Sequence, residues 1–318
     1  MSNRSIRRSL GRSLAVAGAL GTAVALVGCA AGSAPAGSAP AGSAPADAAA
    51  STLGTADNPV QLGVVGAAEP YWTAFEEAAE AEGIELDIVD FTDYNQPNPA
   101  VSEGELDINQ FQHIIYLANY NTQAGDDLQP IGSTATYPIG LYSSQYESVE
   151  EIPDGAEVIV PNDDTNQARG LLVLQSAGLV ALEEGGTPYS TVDDIIEEES
   201  RVTVSAVDAA ITATSLPDVA AAIVNNDFLT DAGIDPADAI AQDDPADPAA
   251  QPYINIFATT AENADDEVLN RLVEIFQTNE EVQAGALESS GGTGLFVSTP
   301  KAELQESLAS VQEALEQQ

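Results

Sequence analysis

The stretch VQLGVVGAAEPYWTAFEEAAEAEGIELDIVDF, residues 60–91, decides the class of fold. Residues 60–65 form a short apolar run that is typical of a buried strand. Residues 71–83 have the apolar spacing of a helix that stops at Gly83, and residues 85–91 alternate as a second strand. A strand, a helix and a strand in this order predict a βαβ unit of an α/β protein.

The same alternation returns later in the chain. The segment AEVIVP (156–161) predicts a strand, TNQARGLLVLQSAG (165–178) predicts a helix, and VTVSAV (202–207) predicts the following strand. VAAAIV (219–224) and PYINIFATT (252–260) predict two further strands. The chain therefore contains material for two α/β units.

Two units of this size predict two lobes, residues 59–141 together with 253–318, and residues 142–252. The chain would cross between the lobes twice, through YPIGLYS (137–143) and PYINIFA (252–258). A cleft between two lobes is a common place for a small ligand, so we expect the binding site there.

The first 28 residues have the features of an export signal. An apolar run, LAVAGALGTAVALVG, is too short to span a membrane comfortably. The pair of adjacent arginines leaves the choice between Sec and Tat export open. The basic residues that precede the apolar run are Arg4, Arg7, Arg8 and Arg12.

The tetrapeptide LVGC, which ends at Cys29, resembles the bacterial lipobox, in which the cysteine is acylated after the signal is removed. The alternative is an unpaired thiol in an ordinary signal region, and an exposed free thiol outside the cell is a liability. Residues 29–58 begin with three copies of Ala-Gly-Ser-Ala-Pro and predict a lipidated tether.

The charge of the chain is strongly acidic, with 51 acidic and 8 basic residues. Four of the 8 basic residues precede Cys29 and all 51 acidic residues follow it, so removal of the first 28 residues would leave a formal charge of −47. A nucleic acid would be repelled by this field, which excludes it as a partner. We hypothesise that the excess of acidic residues keeps the surface solvated in a saline exterior.

Arg169 is the basic residue that most needs an explanation. It follows Asn162, Asp163, Asp164 and Thr165, four residue types that cap helices, and so is expected in the first turn of the helix. Arginine near a helix N-terminus is unfavourable for the helix dipole. Either a ligand carboxylate or a structural ion pair with a nearby acid would account for it.

A second cluster, residues 91–121, combines aromatic side chains with amides. It includes Tyr94, Phe111, Tyr116 and the one histidine of the chain, His113. One histidine without cysteine partners makes a poor metal site, and no hydrolase motif accompanies it, so we expect neither a metal, a cofactor nor an enzyme. Such a cluster suits a small ligand with an apolar part and polar ends.

Several motifs, in order and with consistent spacing, carry a resemblance to a known family. They are FTDYNQPN, GELDINQFQH, YLANYN, GLYS, EIPDGAEVIVPNDDTNQARGLLVLQSAGL and IVNNDF. Together with the lipobox they resemble the NlpA family of methionine-binding lipoproteins, the MetQ-type substrate-binding subunits of methionine ABC importers. The resemblance extends from about residue 60 to beyond residue 255.

The resemblance implies a two-lobed periplasmic-binding-protein fold of type 2. It also implies a lipid anchor on the extracytoplasmic face of the cell membrane, L-methionine as ligand, and a permease with a cytoplasmic ATPase as partners. By motif, Arg169 matches the residue that binds the ligand carboxylate, Asn166 an amide of the same motif, and Asn225 a head-group ligand. The residues that match the aromatic wall around the thioether are Tyr94, Phe111, His113 and Tyr116.

This chain also departs from the family pattern. The departures at Gln110, Asn226, Asp227 and Phe228 are expected at the rim of the cleft, so a different small amino acid or a methionine-containing dipeptide is the alternative ligand. Asp227 stands where the family has an asparagine, either strengthening ammonium binding or lying at the surface. A cation-binding surface protein is disfavoured, because DDPADP lacks the spacing of a calcium loop.

Overall fold

The computed structural model describes residues 52–317, all of which belong to one compact unit. The predictions for the signal peptide, for Cys29 and for the tether up to residue 51 lie outside the described residues. Within residues 52–317, no helix combines the length and the apolar character needed to cross a membrane.

The described chain alternates between strands and helices for most of its length. The strands are β1 (Val60–Val65), β2 (Leu86–Phe91), β3 (Ile108–His113), β4 (Gln129–Ser133), β5 (Ala135–Thr136), β6 (Gly140–Tyr142), β7 (Glu157–Pro161), β8 (Thr203–Val207), β9 (Ala221–Val224), β10 (Ala241–Gln242), β11 (Asn255–Thr259) and β12 (Leu295–Phe296). The helices are α1 (Pro70–Ala81), α2 (Pro97–Ser102), α3 (Ile114–Ala124), α4 (Asp164–Ser176), α5 (Ala209–Thr212), α6 (Glu267–Thr278), α7 (Glu280–Ser289) and α8 (Lys301–Glu316).

The strands form two five-stranded sheets and one short pair. The first sheet has the order β2-β1-β3-β11-β4, in which β11 is antiparallel to both neighbours. The second has the order β10-β6-β9-β7-β8, with β7 parallel to β8 and β9. We call the first sheet with α1, α2, α3, α6, α7 and α8 lobe 1, and the second sheet with α4 and α5 lobe 2.

Each lobe has its own apolar core. In lobe 1, Phe75, Phe257 and Phe276 are buried and pack in edge-to-face and tilted contacts with ring centroids 5.3 to 6.2 Å apart. In lobe 2, a cluster around Leu141 and Leu174 is fully buried. Alternate residues of β11 and of β9 belong to different apolar clusters, so each sheet is buried on both faces, which can hold its strand ends in fixed positions.

The chain passes between the lobes twice, once between β4 and β6 and once between β10 and β11. The α/β class, the two lobes and the two crossovers expected from the sequence are confirmed. The lobe boundaries at residues 141 and 252 stay a prediction; β6, which belongs to the second sheet, lies across the first of them.

One local expectation was wrong. The helix α4 begins at Asp164, so Arg169 is its sixth residue and lies in the second turn, beyond the reach of the N-terminal cap. The first turns of α4 bury polar side chains as well as apolar ones, because this end of the helix faces the other lobe. The position of Arg169 is therefore governed by contacts between elements.

Gly132 in β4 tests the packing of lobe 1. A Cβ at this position would lie 2.1 Å from Cγ1 of Val273 in α6, and Gly132 does not have a positive φ that would by itself exclude alanine. We expect Gly132→Ala to lower the free energy of unfolding by about 1–3 kcal/mol through overpacking. Denaturant unfolding of the purified protein measures this change.

A double-mutant cycle isolates the contact. Val273→Ala removes the methyl groups that the new Cβ would meet, so Gly132→Ala should cost at least about 1 kcal/mol less in that background. Equal costs in both backgrounds would contradict the packing described here.

Candidate functional site

A small cavity, with a volume of about 30 Å³, lies between the lobes, at the carboxyl ends of β2, β3, β7 and β9. Ligands of α/β proteins bind at such strand ends. All seven residues proposed from the sequence line it, namely Tyr94, Phe111, His113, Tyr116, Asn166, Arg169 and Asn225. The other lining residues are Gln112, Tyr137, Pro138, Ile139, Asn226, Asp227 and Asn255.

Arg169 is buried at one end of this cavity, with 5% of its surface exposed. Its Nε donates to Oδ2 of Asp243 over 2.6 Å, and its Nη2 donates to the carbonyl of Tyr137 over 2.7 Å. The guanidinium carbon lies 4.4 Å from the centre of the Tyr253 ring. Nη1 makes no hydrogen bond within the described residues, so one arm of the guanidinium is available to an anion in the cavity.

Both explanations of Arg169 considered from the sequence have a counterpart in the structure. The guanidinium lines the cavity and is also paired with an acid. Asp243 follows β10 in the second crossover, and its side chain is only 25% exposed. Its other oxygen accepts from the backbone N–H of Ile139 over 2.8 Å, which ties it to the first crossover.

Asn166 and Asp163 organise the beginning of α4. Asp163 is the N-cap and accepts from the backbone N–H of Asn166 over 2.9 Å and from the side-chain amide of the same residue over 3.0 Å. The remaining atom of the amide, Oδ1, points across the cavity to Nε2 of His113, 3.3 Å away. The cap therefore fixes the orientation of an amide that faces lobe 1.

His113 is neutral, and both of its ring nitrogens have a hydrogen-bond partner. Its Nδ1 accepts from the backbone N–H of Tyr116 over 3.1 Å and caps α3, so the proton lies on Nε2 and is donated to Asn166. Burial, assisted by the positive charge of Arg169, lowers the pKa of His113 to about 3. The ring is therefore uncharged at neutral pH.

The side of the cavity opposite lobe 2 is an aromatic cage formed by Tyr94, Phe111 and Tyr116. Their ring centroids are 5.6 to 6.1 Å apart, and Tyr116 Oη donates to the carbonyl of Tyr94 over 2.9 Å. Pairing of β3 with β11 jumps from Gln110 to Gln112, so Phe111 is left out of the ladder as a bulge. The cage offers ring faces and edges to an apolar or polarisable group.

Asn225 and Asp227 follow β9 and also line the cavity. The side-chain Oδ1 of Asn225 is buried and has no hydrogen-bond partner within the described residues. Asp227 accepts from Tyr94 Oη over 2.8 Å. Arg169 and Asp227 are the charged residues of the cavity lining, since His113 is neutral.

Among residues 52–317, four side-chain hydrogen bonds join the lobes around the cavity. In each of them, a donor of lobe 1 meets an oxygen of lobe 2. They connect Tyr94 to Asp227 over 2.8 Å, His113 to Asn166 over 3.3 Å, and both Asn119 and Gln123 to Asp164 over 3.4 and 2.8 Å.

The sequence-based departures do not all lie at a rim. Asn226 and Asp227 line the cavity itself, and Phe228 packs on Tyr94 with ring centroids 5.0 Å apart. Gln110 faces an adjoining cavity and donates to Thr134 Oγ1 over 3.2 Å. Side chains at three of these four positions therefore lie on or directly behind the wall of the candidate site.

Sequence reasoning missed Tyr137, Tyr253, Asn255 and Asp243. The first three lie in the segments 137–143 and 252–258, which had been identified only as crossovers. Crossovers pass beside an interlobe cleft, so their polar and aromatic residues were a usable signal. No signal distinguished Asp243 among the many acidic residues of the chain.

Comparisons with known proteins identify relatives of this chain. Residues 60–295 match the family model described as NlpA lipoprotein. A relative from Haemophilus influenzae, named "Probable D-methionine-binding lipoprotein MetQ", is 36% identical over 209 residues, which cover 65% of this chain and 75% of the relative.

Two solved structures show the same similarity. The substrate-binding protein of a methionine transporter from Streptococcus pneumoniae is 35% identical, with a TM-score of 0.70 and coverage of 75% of this chain and 95% of that one. A nutrient-binding protein from Burkholderia cenocepacia, bound to methionine, is 34% identical, with a TM-score of 0.69 and coverage of 74% and 99%.

The neutral state of His113 can be observed directly, because the chain contains one histidine. We expect the imidazole NMR signals of the folded protein to stay constant between about pH 5 and pH 8, since burial holds the pKa of His113 near 3. The same signals in the urea-unfolded chain should titrate near about pH 6.5. A titration midpoint near neutrality in the folded protein would contradict the burial described here.

Proposed function

Because the chain belongs to the NlpA lipoprotein family, we propose that it is an extracytoplasmic solute-binding protein that binds methionine in the cavity between its lobes. The name and titles of relatives refer to methionine, and one solved relative contains it. L-methionine is the enantiomer that we propose from the sequence resemblance. The relative from Haemophilus influenzae is named for D-methionine, so both enantiomers belong in the test.

One observation carries the proposal: the cavity combines one cation, one acid and an aromatic cage. Nη1 of Arg169 is available to a carboxylate, and Asn225 Oδ1 lacks a donor that an ammonium would supply. The cage of Tyr94, Phe111 and Tyr116 suits a thioether, because sulfur packs favourably against aromatic rings. A zwitterion with a polarisable side chain therefore has a counterpart for each of its parts.

We propose binding and delivery, without catalysis, as the function. The polar groups of the cavity are amides, phenols, one guanidinium and one carboxylate, and its histidine is neutral. Within residues 52–317, the cavity lining includes no serine, threonine or cysteine that could act as a nucleophile beside a base. Delivery would be to a membrane permease driven by a cytoplasmic ATPase, with the protein held at the membrane by a lipid on Cys29.

Calorimetric titration of the mature chain, freed of endogenous ligand by unfolding and refolding, tests the proposal. We expect saturable one-to-one binding that favours methionine over a panel of amino acids and methionine dipeptides. If another compound of the panel binds more tightly than methionine, the proposed transport role stands and that compound is the ligand. No detectable binding of any compound in the panel would contradict the proposed function.

Arg169→Ala should weaken methionine binding by at least about a hundredfold, because the ligand carboxylate would lose a charged donor in a buried site. Arg201→Ala is the matched control. Arg201 also donates through Nε to an aspartate, Asp154, and through Nη2 to a backbone carbonyl, but at a more exposed position outside the cavity.

The control should keep an affinity within about twofold of the unmodified protein, because exposed ion pairs contribute little. The same calorimetric titration measures both variants, with circular dichroism to verify folding. Near-normal affinity of a folded Arg169→Ala protein would contradict the assignment.

Cys29→Ser should release the protein from the membrane fraction, since serine offers no thiol for acylation, while methionine affinity stays unchanged. Fractionation of cells that express each form, followed by immunoblotting, measures the distribution. Retention of the serine variant in the membrane fraction would contradict the proposed anchor.

A further inference from the structure

Asp227 is the acidic residue of the cavity lining, and one of its two oxygens is uncommitted. Oδ2 accepts from Tyr94 Oη over 2.8 Å, whereas Oδ1 makes no hydrogen bond within the described residues. The buried, unpartnered Oδ1 of Asn225 lies two residues away in the chain and lines the same cavity. Two acceptors in this part of the site therefore lack a donor.

The carboxylate of Asp227 also lacks a counter-ion. The four basic residues of the described chain, Arg169, Arg201, Arg271 and Lys301, are all paired with other acids. A carboxylate that faces a cavity without a cation carries an uncompensated desolvation cost. A ligand with a positive charge would remove that cost on binding.

The groups that face Asp227 come from several elements, and none is cationic. They are Glu69 before α1, Tyr71 in α1, Tyr94 after β2 and Tyr137 in the first crossover. Burial, opposed by the Tyr94 hydrogen bond and assisted by the negative charge of Glu69, raises the pKa of Asp227 to about 7. In the empty cavity the acid is therefore partly protonated near neutral pH.

We propose that Asp227 is the specificity-determining residue of this pocket: it binds the ligand ammonium as its counter-ion, together with Asn225 Oδ1, and gives up a proton when the ligand binds. This inference rests on the proposed amino-acid binding and extends it. It concerns the aspartate that stands at this position of this chain, where the family pattern has an asparagine. A neutral amide would accept from the ammonium without any exchange of protons.

The direction of the proton exchange follows from linkage. An ammonium beside Asp227 favours the ionised carboxylate, so ligand binding lowers the pKa of this acid from its raised value. Binding therefore strengthens as pH rises towards about 7, by up to about tenfold per pH unit, and becomes level above that value. Below the raised pKa, each binding event releases up to one proton.

We do not expect the other titratable groups of the site to release a proton when the ligand binds. The pKa of His113 is lowered to about 3, and burial raises the pKa of Tyr94 and of Tyr71 well above 10.0. Burial raises the pKa of Asp163, whereas hydrogen bonds from Asn166 and Thr165 lower it, and this carboxylate does not line the cavity. Asp227 is thus the cavity-lining group expected to change its protonation between about pH 5 and pH 8.

Calorimetry of the mature chain measures the released protons, by titrating methionine at about pH 6 and pH 8.5 in pairs of buffers with different ionisation enthalpies. We expect more than half a proton released per ligand at the lower pH and almost none at the higher pH. Asp227→Asn should abolish the release, because the amide keeps the shape and accepts from Tyr94 but does not titrate. Its affinity should be about tenfold or more weaker at pH 8.5 and nearly independent of pH.

Tyr94→Phe is the matched control for the hydrogen bond alone. It removes the donor to Oδ2 but leaves the carboxylate, so proton release should persist whatever the change in affinity. A second readout is specificity: 4-(methylthio)butanoate keeps the carboxylate and the thioether but has no amino group. The preference for methionine over this analogue should be at least about tenfold smaller in Asp227→Asn than in the unmodified protein.

The possible failures are distinct. If the unmodified protein binds methionine without releasing protons at about pH 6, or if Asp227→Asn releases as many, the inference about Asp227 is wrong and the proposed function stands. If the protein binds neither methionine nor any other amino acid at any pH, the proposed function is wrong, and the ammonium site falls with it.

Discussion

The buried guanidinium of Arg169 is the constraint on which the arrangement of the cavity depends. A charge with 5% exposure is stable only if it is paired and hydrogen-bonded, and here the partners come from both crossovers. Asp243 stands at the end of lobe 2, and Tyr137 lies in the segment that enters it. Because Asp243 also accepts from Ile139, the ion pair fixes the two chain passages to each other as well as to α4. The same positive charge contributes to the neutrality of His113, which can then bridge the lobes as a donor.

Basic residues are scarce in this chain, and their positions in the cavity and on the surface give them different roles. Arg271 pairs with Glu82 and Glu274, and Lys301 pairs with Asp265, on the outside of lobe 1. Arg169 alone among the four basic residues of the described chain lines the cavity. The surface can remain strongly acidic because water and salt screen it, whereas the cavity lining carries one guanidinium and one carboxylate, which suit the two charges of a zwitterion.

Much of the fold and part of the site could be predicted from local patterns. Apolar runs identified β1 and β7 within a residue of their observed bounds, and the cap residues before Arg169 identified the beginning of α4. The resemblance to a family named seven residues that the structure brings to one cavity, although their role in binding stays a prediction. Asp243 could not be predicted, because it is 74 residues from Arg169 and resembles every other surface acid in sequence. The bulge at Phe111 depends on the register between β3 and β11, two strands from distant parts of the chain, and no local pattern encodes it. Arg169 lies in the second turn because α4 begins at Asp164, so the dipole argument that singled it out does not apply to its observed position.

The four side-chain bonds that join the lobes have a consequence for residence time. A ligand in the cavity is surrounded by side chains such as Asn166 and His113, which are only 2% and 5% exposed. It can therefore leave only when the bonds between the lobes break, which are those of Tyr94, His113, Asn119 and Gln123. The rate of ligand dissociation would then be limited by separation of the lobes. Ligands with different side chains would then have similar dissociation rates. Their differences in affinity would arise from association, that is, from the fraction of encounters after which the lobes close on the ligand. A membrane partner that separates the lobes would discharge any of them at a comparable rate.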